Sequence, residues 1–175
     1  MLIFDIETDG LVHDVSSIHC AVIYDTETDE YQHYNDSGTK DPIVRAVTRL
    51  EEADSIVGHN IINYDLRVIS KLYPFFSPVG TIVDTLLLSR LYHPNLMEVD
   101  KRQAWKHMPL QMYGRHSLEA YGYRLGEYKG NFAKTTDWSD WSQEMEDYCE
   151  QDVKVTTKLC DHFHRYLSGS KWNTR

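Results

Sequence analysis

The first run of the sequence, MLIFDIETDGL, restricts the fold more than any other feature. Its apolar residues predict a buried β-strand over residues 1–7, yet two carboxylic acids interrupt the run, Asp5 and Glu7. Side chains on a strand alternate between its two faces, so both acids share one face with Ile3 while the opposite face is apolar. Neighbouring carboxylates disfavour each other's ionisation. Such a pair is therefore typical either of an exposed edge strand, where water solvates the acids, or of a site that holds a cation.

The rest of the pattern predicts a mixed α/β sheet flanked by helices. Two β-rich runs, residues 17–25 and 30–34, are separated by the polar sequence TETD and predict a hairpin. Strand and helix signals then alternate: a helix over 41–50, a strand over 55–60, a helix over 64–72, a strand running into a helix over 81–92, a short helix over 116–126 and a long helix over 139–166. Residues 93–113, which contain Pro94 and Pro109, are predicted to be irregular.

Length and composition are those of one globular domain. The 175 residues are 41% hydrophobic and 26% charged, and they contain neither a membrane-length apolar run nor a signal-peptide pattern. We therefore expect a single domain over residues 1–175, a cytoplasmic location and no membrane partner. The C-terminal sequence SGSKWNTR, residues 168–175, is predicted to be a polar tail.

Cysteine and histidine do not form a recognisable zinc pattern. Cys20, Cys149 and Cys160 are odd in number and include no CxxC pair, which indicates reduced thiols in a cytoplasmic protein. His162 and His164 lie two residues apart on a predicted helix, so their side chains point in different directions. We interpret them as surface histidines.

The charge of the chain is unevenly distributed. A net charge of −9 at pH 7 argues against a nucleic-acid partner when the charge is taken as a sum. Residues 101–117, however, contain no acid and carry Lys101, Arg102, Lys106 and Arg115, with aromatic residues between them. Such a stretch either contacts a phosphate backbone or forms a solvated loop.

Three more residues can join the carboxylates of the first strand. Asp65 is predicted at the start of a helix that follows a strand, and Asp152 lies on the long C-terminal helix. Tyr148 precedes Asp152 by four residues, so the two share one helix face about one turn apart. Two other acids have local explanations, because Asp9 lies in a TDG turn and Asp84 is placed to cap a helix N-terminus.

Three segments, in their order and separations, resemble the exonuclease motifs of the DEDD superfamily: FDIETDGL, HNIINYD and YCEQD. The tyrosine of the last motif resembles the subclass found in proofreading domains of family A DNA polymerases. Three flanking blocks resemble the proofreading domain of short-tailed-phage replicative polymerases: IVDTLLLSRLYHPNL, GRHSLEAYGYRLGEYKG and EMEDYCEQDVKVT. The resemblance implies a ribonuclease H-like mixed five-stranded sheet. Because no polymerase segment is present, we expect either a separate exonuclease that works beside a separately encoded DNA polymerase, or an excised domain.

The resemblance also implies a reaction and a role for each residue. The expected reaction is hydrolysis of single-stranded DNA from its 3′ end with two divalent ions, Mg²⁺ or Mn²⁺, releasing nucleoside 5′-monophosphates. Asp5 is expected to bridge both ions, Glu7 and Asp152 to complete the water-activating site, and Asp65 to hold the second ion through water. Tyr148 is expected to hydrogen-bond the attacking water, since a tyrosine pKa of about 10 makes it a poor base at neutral pH.

Two further positions match substrate contacts of the resembled family. Leu11 matches an apolar side chain that wedges against the terminal base, and Asn60 matches a polar residue that contacts the terminal nucleotide. A core leucine and a turn-capping asparagine explain the same residues equally well. The predicted substrate-binding set is completed by the basic stretch: Lys101, Arg102, Lys106 and Arg115.

Two alternative functions stay open. One is a 3′–5′ exoribonuclease, because DEDD enzymes of the same fold trim RNA and the catalytic motifs do not distinguish the two sugars. The other is a non-catalytic module that binds nucleic acid or a polymerase. The five intact motif residues argue against that module, since decayed enzymes commonly lose a metal ligand. For a phage-encoded chain, the expected location is the host cell cytoplasm.

Overall fold

A computed structural model describes residues 1–103, 105–127 and 138–167 of the chain. The tail predicted over 168–175 lies outside these ranges. The described strands form one sheet in the order β3-β2-β1-β4-β5. Their bounds are Leu2–Thr8 (β1), Ile18–Asp25 (β2), Glu30–Asn35 (β3), Ser55–Gly58 (β4) and Thr81–Asp84 (β5). The predicted hairpin and the predicted mixed five-stranded sheet are confirmed.

Strand β1 lies at the centre of the sheet. It pairs antiparallel with β2 and parallel with β4. Further from the centre of the sheet, β2 pairs antiparallel with β3, and β4 pairs parallel with the edge strand β5. Because β1 is an interior strand of the sheet and Asp5 and Glu7 are only partly exposed, the explanation by an exposed edge strand is wrong.

Six α-helices occur in the described ranges: α1 Ile43–Glu52, α2 Asp65–Leu72, α3 Thr85–Tyr92, α4 Leu96–Gln103, α5 Leu118–Leu125 and α6 Gln143–Leu167. None of them is both long and apolar enough to cross a membrane. The prediction that residues 93–113 are irregular is wrong, because α4 lies there, followed by a 3₁₀ turn over Leu110–Met112. The α4 sequence LMEVDKRQ is too polar for a helical period, and Pro94 precedes the helix without interrupting it.

The long helix α6 begins at Gln143 and not at residue 139, where we predicted its start. The Ser142 hydroxyl accepts a hydrogen bond from the Met145 N–H at 3.2 Å, which is typical of an N-cap residue. One turn later, the fully buried carboxylate of Glu146 accepts hydrogen bonds from Asn35 Nδ2 at 2.7 Å and Trp141 Nε1 at 3.2 Å. These contacts tie the first turn of α6 to the end of β3.

A hydrophobic core lies on each face of the sheet. One core packs the apolar face of β1 against α1 and α2. The other packs Ile3 on the opposite face of β1 against α6, through Met145, Cys149 and Val153. Asp5 and Glu7 alternate with Ile3 along β1 and therefore lie between the sheet and the long helix.

Candidate active site

The two acids of β1 lie under α6. Ligand atoms of Asp5, Glu7 and Cys149 all fall within 4.8 Å of one another. The Cys149 Sγ is 3.4 Å from the Asp5 backbone oxygen and 3.6 Å from Asp5 Oδ2. The alternation of β1 and the position of α6 thus bring both carboxylates to one place, as the sequence predicts for a cation site.

Asp65 joins these acids from the first residue of α2. The ladder between β1 and β4 extends only as far as Ile3. Further along β1, the Ile6 backbone N–H donates to the Asp65 carboxylate, which is only 3% exposed. Burial, and then the charge of Asp5, raise the pKa of Asp65 well above its usual range. The carboxylate of Asp65 is therefore close to β1 and needs a cation or a proton to be stable there.

Tyr148 faces this cluster from α6, and Asp152 lies one turn further along the same helix. Burial, followed by the charges of Glu7 and Asp5, raises the pKa of Tyr148 far above that of free tyrosine, so its hydroxyl keeps its proton at neutral pH. Asp152 is 8% exposed and follows Cys149 by three residues, which places it on the helix face that Cys149 turns toward Asp5.

The donor chemistry of the cluster fits hard divalent ions. Asp5, Glu7, Asp65 and Asp152 offer only carboxylate oxygens, which Mg²⁺ and Mn²⁺ prefer. Without a cation, burying such a group of acids is unfavourable, and the raised pKa of Asp65 is one expression of that cost.

The loop after β1 presents Leu11 to solvent. Leu11 is 71% exposed, so the alternative of a core leucine is wrong. The Tyr64 hydroxyl donates to the Gly10 carbonyl at 2.7 Å, and Asp9 accepts from the backbone N–H groups of Ser16 and Ser17. The local role predicted for Asp9 is confirmed, and these contacts hold the loop in place.

An open cavity of about 410 Å³ lies beside this loop. Its lining includes Glu7, Leu11, Tyr64 and Trp138. The Trp138 ring is edge-on to Tyr148, with ring centroids 6.5 Å apart. Sequence reasoning did not identify Trp138, although its position shortly before the tyrosine motif was an available signal. The cavity is large enough to accept a nucleobase next to one of the acids of β1.

A second open cavity, of about 400 Å³, lies on the side of Asn60. Arg90, Arg115 and His116 also line it. Asn60 has a φ of 67°, a conformation that asparagine adopts more readily than most residues, and its N–H donates to Asp84 at 2.9 Å. Asn60 is thus both a turn residue and part of the lining of this cavity.

Asp84 holds the Asn60 turn through hydrogen bonds to its side-chain carboxylate. Its carboxylate accepts from the Leu86 N–H at 2.9 Å, which confirms the predicted helix cap. The same carboxylate accepts from the Ile62 N–H at 3.1 Å in addition to that of Asn60. One buried acid therefore holds together the start of α3 and the turn that precedes α2.

The cations of the basic stretch do not form one surface loop. Lys101 and Arg102 are exposed at the end of α4, and Arg102 lies 3.9 Å from Glu98. Lys106 is exposed in the following segment, while Arg115 reaches the Asn60 cavity and donates to the Gln111 carbonyl at 2.7 Å. Only Arg115 of these four is therefore placed beside another predicted substrate-binding residue.

A buried ion pair that the sequence did not predict holds this region. The Asp100 carboxylate is fully buried and accepts from Arg124 Nε at 3.0 Å and Arg124 Nη2 at 2.7 Å. It also accepts from Trp105 Nε1 at 2.9 Å and the Gly114 N–H at 2.8 Å. Asp100 therefore connects α4 and α5 to the segment that carries Arg115.

The interpretation of His162 as a surface histidine is wrong. His162 is half-buried against His93, with the two Nε2 atoms 2.7 Å apart, and Phe163 and Tyr166 pack around the pair. His164, in contrast, is exposed as predicted. The partner of His162 lies 69 residues earlier in the chain, so no local pattern indicates it.

The chain is similar to known nucleases and polymerases. A family model described as the RNase_H superfamily matches residues 2–164. The DNA-directed DNA polymerase of Escherichia phage T7 is 35% identical over 184 residues, which cover 92% of this chain and 26% of the polymerase. The EXO domain of Aedes aegypti Nibbler superposes with a TM-score of 0.64 at 12% identity, covering 98% of this chain and 80% of that domain. Brucella melitensis NrnC with bound Mg²⁺ gives a TM-score of 0.61 at 18% identity, covering 98% and 75%.

These comparisons support different conclusions about fold, activity and family. The two solved structures share the fold at low identity, which agrees with the ribonuclease H-like architecture. The chain spans about a quarter of the phage polymerase that it matches, so the activity of that whole polymerase does not transfer to it. The family match, however, extends over nearly all of the described residues. The predicted resemblance to DEDD-type exonucleases is thus confirmed, and the chain belongs to the RNase H superfamily as an exonuclease-like member related to the T7 DNA polymerase.

Proposed function

We propose that this chain is a metal-dependent 3′–5′ exonuclease of the tyrosine subclass, acting on the 3′ end of single-stranded DNA. The observation that carries the proposal is the convergence of acids on β1: ligand atoms of Asp5 and Glu7 lie within 4.8 Å of each other, and the buried Asp65 carboxylate accepts from the Ile6 N–H of the same strand. Burial, and then the charges of Glu7 and Asp5, raise the pKa of Tyr148 on α6. Acids brought together from separate elements and partly buried are typical of a catalytic metal site.

The residues have separable roles in hydrolysis. Bound divalent ions supply positive charge over the scissile phosphate and lower the pKa of a water molecule. Asp5, Glu7, Asp65 and Asp152 hold these ions with carboxylate oxygens. Tyr148 keeps its hydroxyl proton at neutral pH and orients the attacking water together with Glu7.

The reaction exchanges one phosphorus–oxygen bond for another. The oxygen of the attacking water bonds to the phosphorus, and the bond from phosphorus to the 3′ oxygen of the preceding nucleotide breaks. That 3′ oxygen takes up a proton and becomes the new 3′ hydroxyl. The departing product is a nucleoside 5′-monophosphate.

The two cavities suggest how the strand is held. Leu11 and Trp138 offer apolar and aromatic surface next to Glu7, which suits a terminal base because every base has a face that can stack. Asn60 and Arg115 offer a polar and a cationic side chain in the second cavity, which suits a sugar and a phosphate. The proposed substrate therefore contacts both cavities, with its terminal base next to Glu7.

The first experiment is a time course on single-stranded DNA labelled at its 5′ end, with and without Mg²⁺, and in parallel on RNA of the same sequence. Shortening of the labelled DNA one nucleotide at a time, only with the ion, is the expected result. Faster shortening of RNA would favour the exoribonuclease. No shortening of either polymer, by a folded protein in Mg²⁺ or Mn²⁺, would refute an exonuclease.

Two substitutions on one helix provide a matched control. Asp152→Asn removes a proposed metal ligand, and we expect it to abolish cleavage. Asp147→Asn makes the same chemical change at an exposed residue of α6, and we expect wild-type rates. Equal rates in both variants would remove Asp152 from the proposed site.

The path of the strand is tested by charge reversal. If Lys101 and Arg102 contact phosphates, K101E/R102E raises KM on a long strand and makes its binding less salt-dependent, but has little effect on a dinucleotide. The control K40E/R45E makes the same change in net charge at two exposed residues before and in α1. Equal losses for the two double variants, or equal losses on both substrate lengths, would refute this path and leave the catalytic cluster untouched.

A further inference from the structure

A sulfur atom lies beside the carboxylates of β1. Cys149 is fully buried, and its Sγ lies 3.6 Å from Asp5 Oδ2. Ligand atoms of Cys149, Asp5 and Glu7 are all within 4.8 Å of one another. Three side chains from β1 and α6 therefore converge, and one of them offers a soft ligand where the other two offer hard ones.

The separation of the sulfur and oxygen atoms matches a tetrahedral ion. Protein zinc sites have Zn–S distances of about 2.3 Å and Zn–O distances of about 2.1 Å. With a tetrahedral angle of about 109° between these bonds, the sulfur and oxygen are about 3.6 Å apart. At its separation of 3.6 Å, the Cys149 thiol donates a hydrogen bond to Asp5 Oδ2, so an ion that replaces the thiol proton finds both atoms at the spacing of two tetrahedral ligands.

We propose that Asp5, Glu7 and Cys149 bind one thiophilic divalent ion, of the class of Zn²⁺ and Cd²⁺, at the edge of the catalytic cluster. Thiolate ligands select such ions over Mg²⁺, which prefers oxygen. On binding, the thiol proton leaves to solvent as the metal–sulfur bond forms, and no oxidation state changes. The inference rests on the proposed function only for its consequence, which is competition between a thiophilic ion and the hard ions of catalysis.

The consequence for activity is inhibition. A thiophilic ion that takes Asp5 and Glu7 as ligands removes from the hard ions two of the four carboxylates that we propose hold them. Four-coordinate sites with sulfur ligands also leave few positions open for water or a phosphate oxygen. We therefore expect Zn²⁺ or Cd²⁺ to suppress Mg²⁺-dependent cleavage at concentrations far below that of Mg²⁺.

The test uses Cd²⁺ and the metal-free full-length protein. Cadmium bound to a thiolate absorbs in the ultraviolet through ligand-to-metal charge transfer, so the band reports the metal–sulfur bond without any measurement of cleavage. We expect the wild-type protein to develop this band with one equivalent of Cd²⁺. In Cys149→Ser, we expect the band to vanish and the ratio of Cd²⁺ affinity to Mg²⁺ affinity to fall at least about tenfold, the usual scale for loss of a group that supports a metal site.

The other two cysteines provide controls. Cys160 lies on the same helix, eleven residues and about 16 Å further along its axis, so Cys160→Ser should leave the band unchanged. Cys20 hydrogen-bonds with Cys149 and pairs with Glu7 across the β1–β2 ladder. The double variant C20S/C160S keeps Cys149 as the one thiol, and it should retain the band even if Cys149→Ser fails to fold.

The outcomes separate this inference from the proposed function. No band in the wild-type protein, or a band that follows Cys20 or Cys160, would overturn the inference whatever the cleavage assay shows. A band that follows Cys149 in a protein that cleaves no nucleic acid would support the ion site and refute the exonuclease.

Discussion

The buried ion pair between Asp100 and Arg124 makes a sharp prediction for stability. Asp100→Ala leaves the guanidinium of Arg124, which is only 6% exposed, without its counter-charge. It also removes the acceptor of the Gly114 N–H and of Trp105 Nε1. Removing one partner of a buried ion pair costs about 3–5 kcal/mol, because the remaining charge stays buried.

Urea unfolding measures this loss as a free energy of unfolding, and thermal unfolding measures it as a shift in melting temperature. At about 2–4 °C per kcal/mol for a domain of this size, the melting temperature should fall by about 6–20 °C. Glu98→Ala is the matched control, because it breaks an exposed ion pair on the same helix, which is worth about 0–1 kcal/mol. Arg124→Met should cost less in the Asp100→Ala background than in the wild type, which measures the coupling directly.

The pH dependence follows from the same contacts. Burial alone raises the pKa of Asp100, but hydrogen bonds from Arg124, Gly114 and Trp105 hold it below its usual value. A lowered native pKa contributes stability at pH values above the unfolded pKa of about 3.9, and this stability is lost as the pH falls through the native pKa. A free energy of unfolding that differs by less than 1 kcal/mol (roughly the exposed-pair scale) between Asp100→Ala and Glu98→Ala at pH 7 would refute the reasoning.

Three other predictions concern the cluster and the histidine pair. Asp65→Ala should abolish cleavage yet hold or raise the melting temperature of the metal-free protein, because it removes a buried acid beside Asp5; a lower melting temperature would contradict this. Tyr148→Phe should slow cleavage by about 10–1000-fold with metal affinity unchanged, as measured by single-turnover kinetics and calorimetry, since it loses one positioning hydroxyl. Burial, Arg165 and His93 lower the pKa of His162 to about 4, so the native state binds fewer protons than the unfolded state between about pH 4 and 6.5. Unfolding free energy should therefore fall on acidification through that window, less steeply in His162→Gln, and as in the wild type in the exposed control His164→Gln.

The directions of the clustered side chains could be predicted because these residues lie on regular elements. The alternation of β1 gave the direction of Asp5 and Glu7, and the two cores on opposite faces of that strand agree with it. The helical period placed Tyr148 and Asp152 on one face of α6. The exact start of that helix was missed because the first turn depends on Ser142 and on buried contacts of Glu146. The helical repeat of apolar residues does not indicate such contacts.

Contacts between distant segments could not be predicted in this way. Asp100 and Arg124 are 24 residues apart, and His93 and His162 are 69 residues apart. Each pair is made by the packing of two helices, so neither residue carries a local signal of its partner. Helix α4 was missed for a related reason, since its formation depends on the burial of Asp100 and Leu96 in the folded chain and not on an apolar stripe.

The same distinction explains why the sequence pattern indicates the positions of the acids but not the path of the substrate. A residue on a strand or helix inherits its direction from the period of the element, whereas a loop residue takes its direction from the contacts that fix the loop. Leu11 is exposed because Tyr64 and Asp9 hold its loop, and Asn60 turns into its cavity because Asp84 holds three backbone N–H groups around it. Arg115 reaches that cavity because Gly114 is bound to Asp100. Substitutions at these supporting residues should therefore change KM for nucleic acid more than substitutions at the exposed cations of α4.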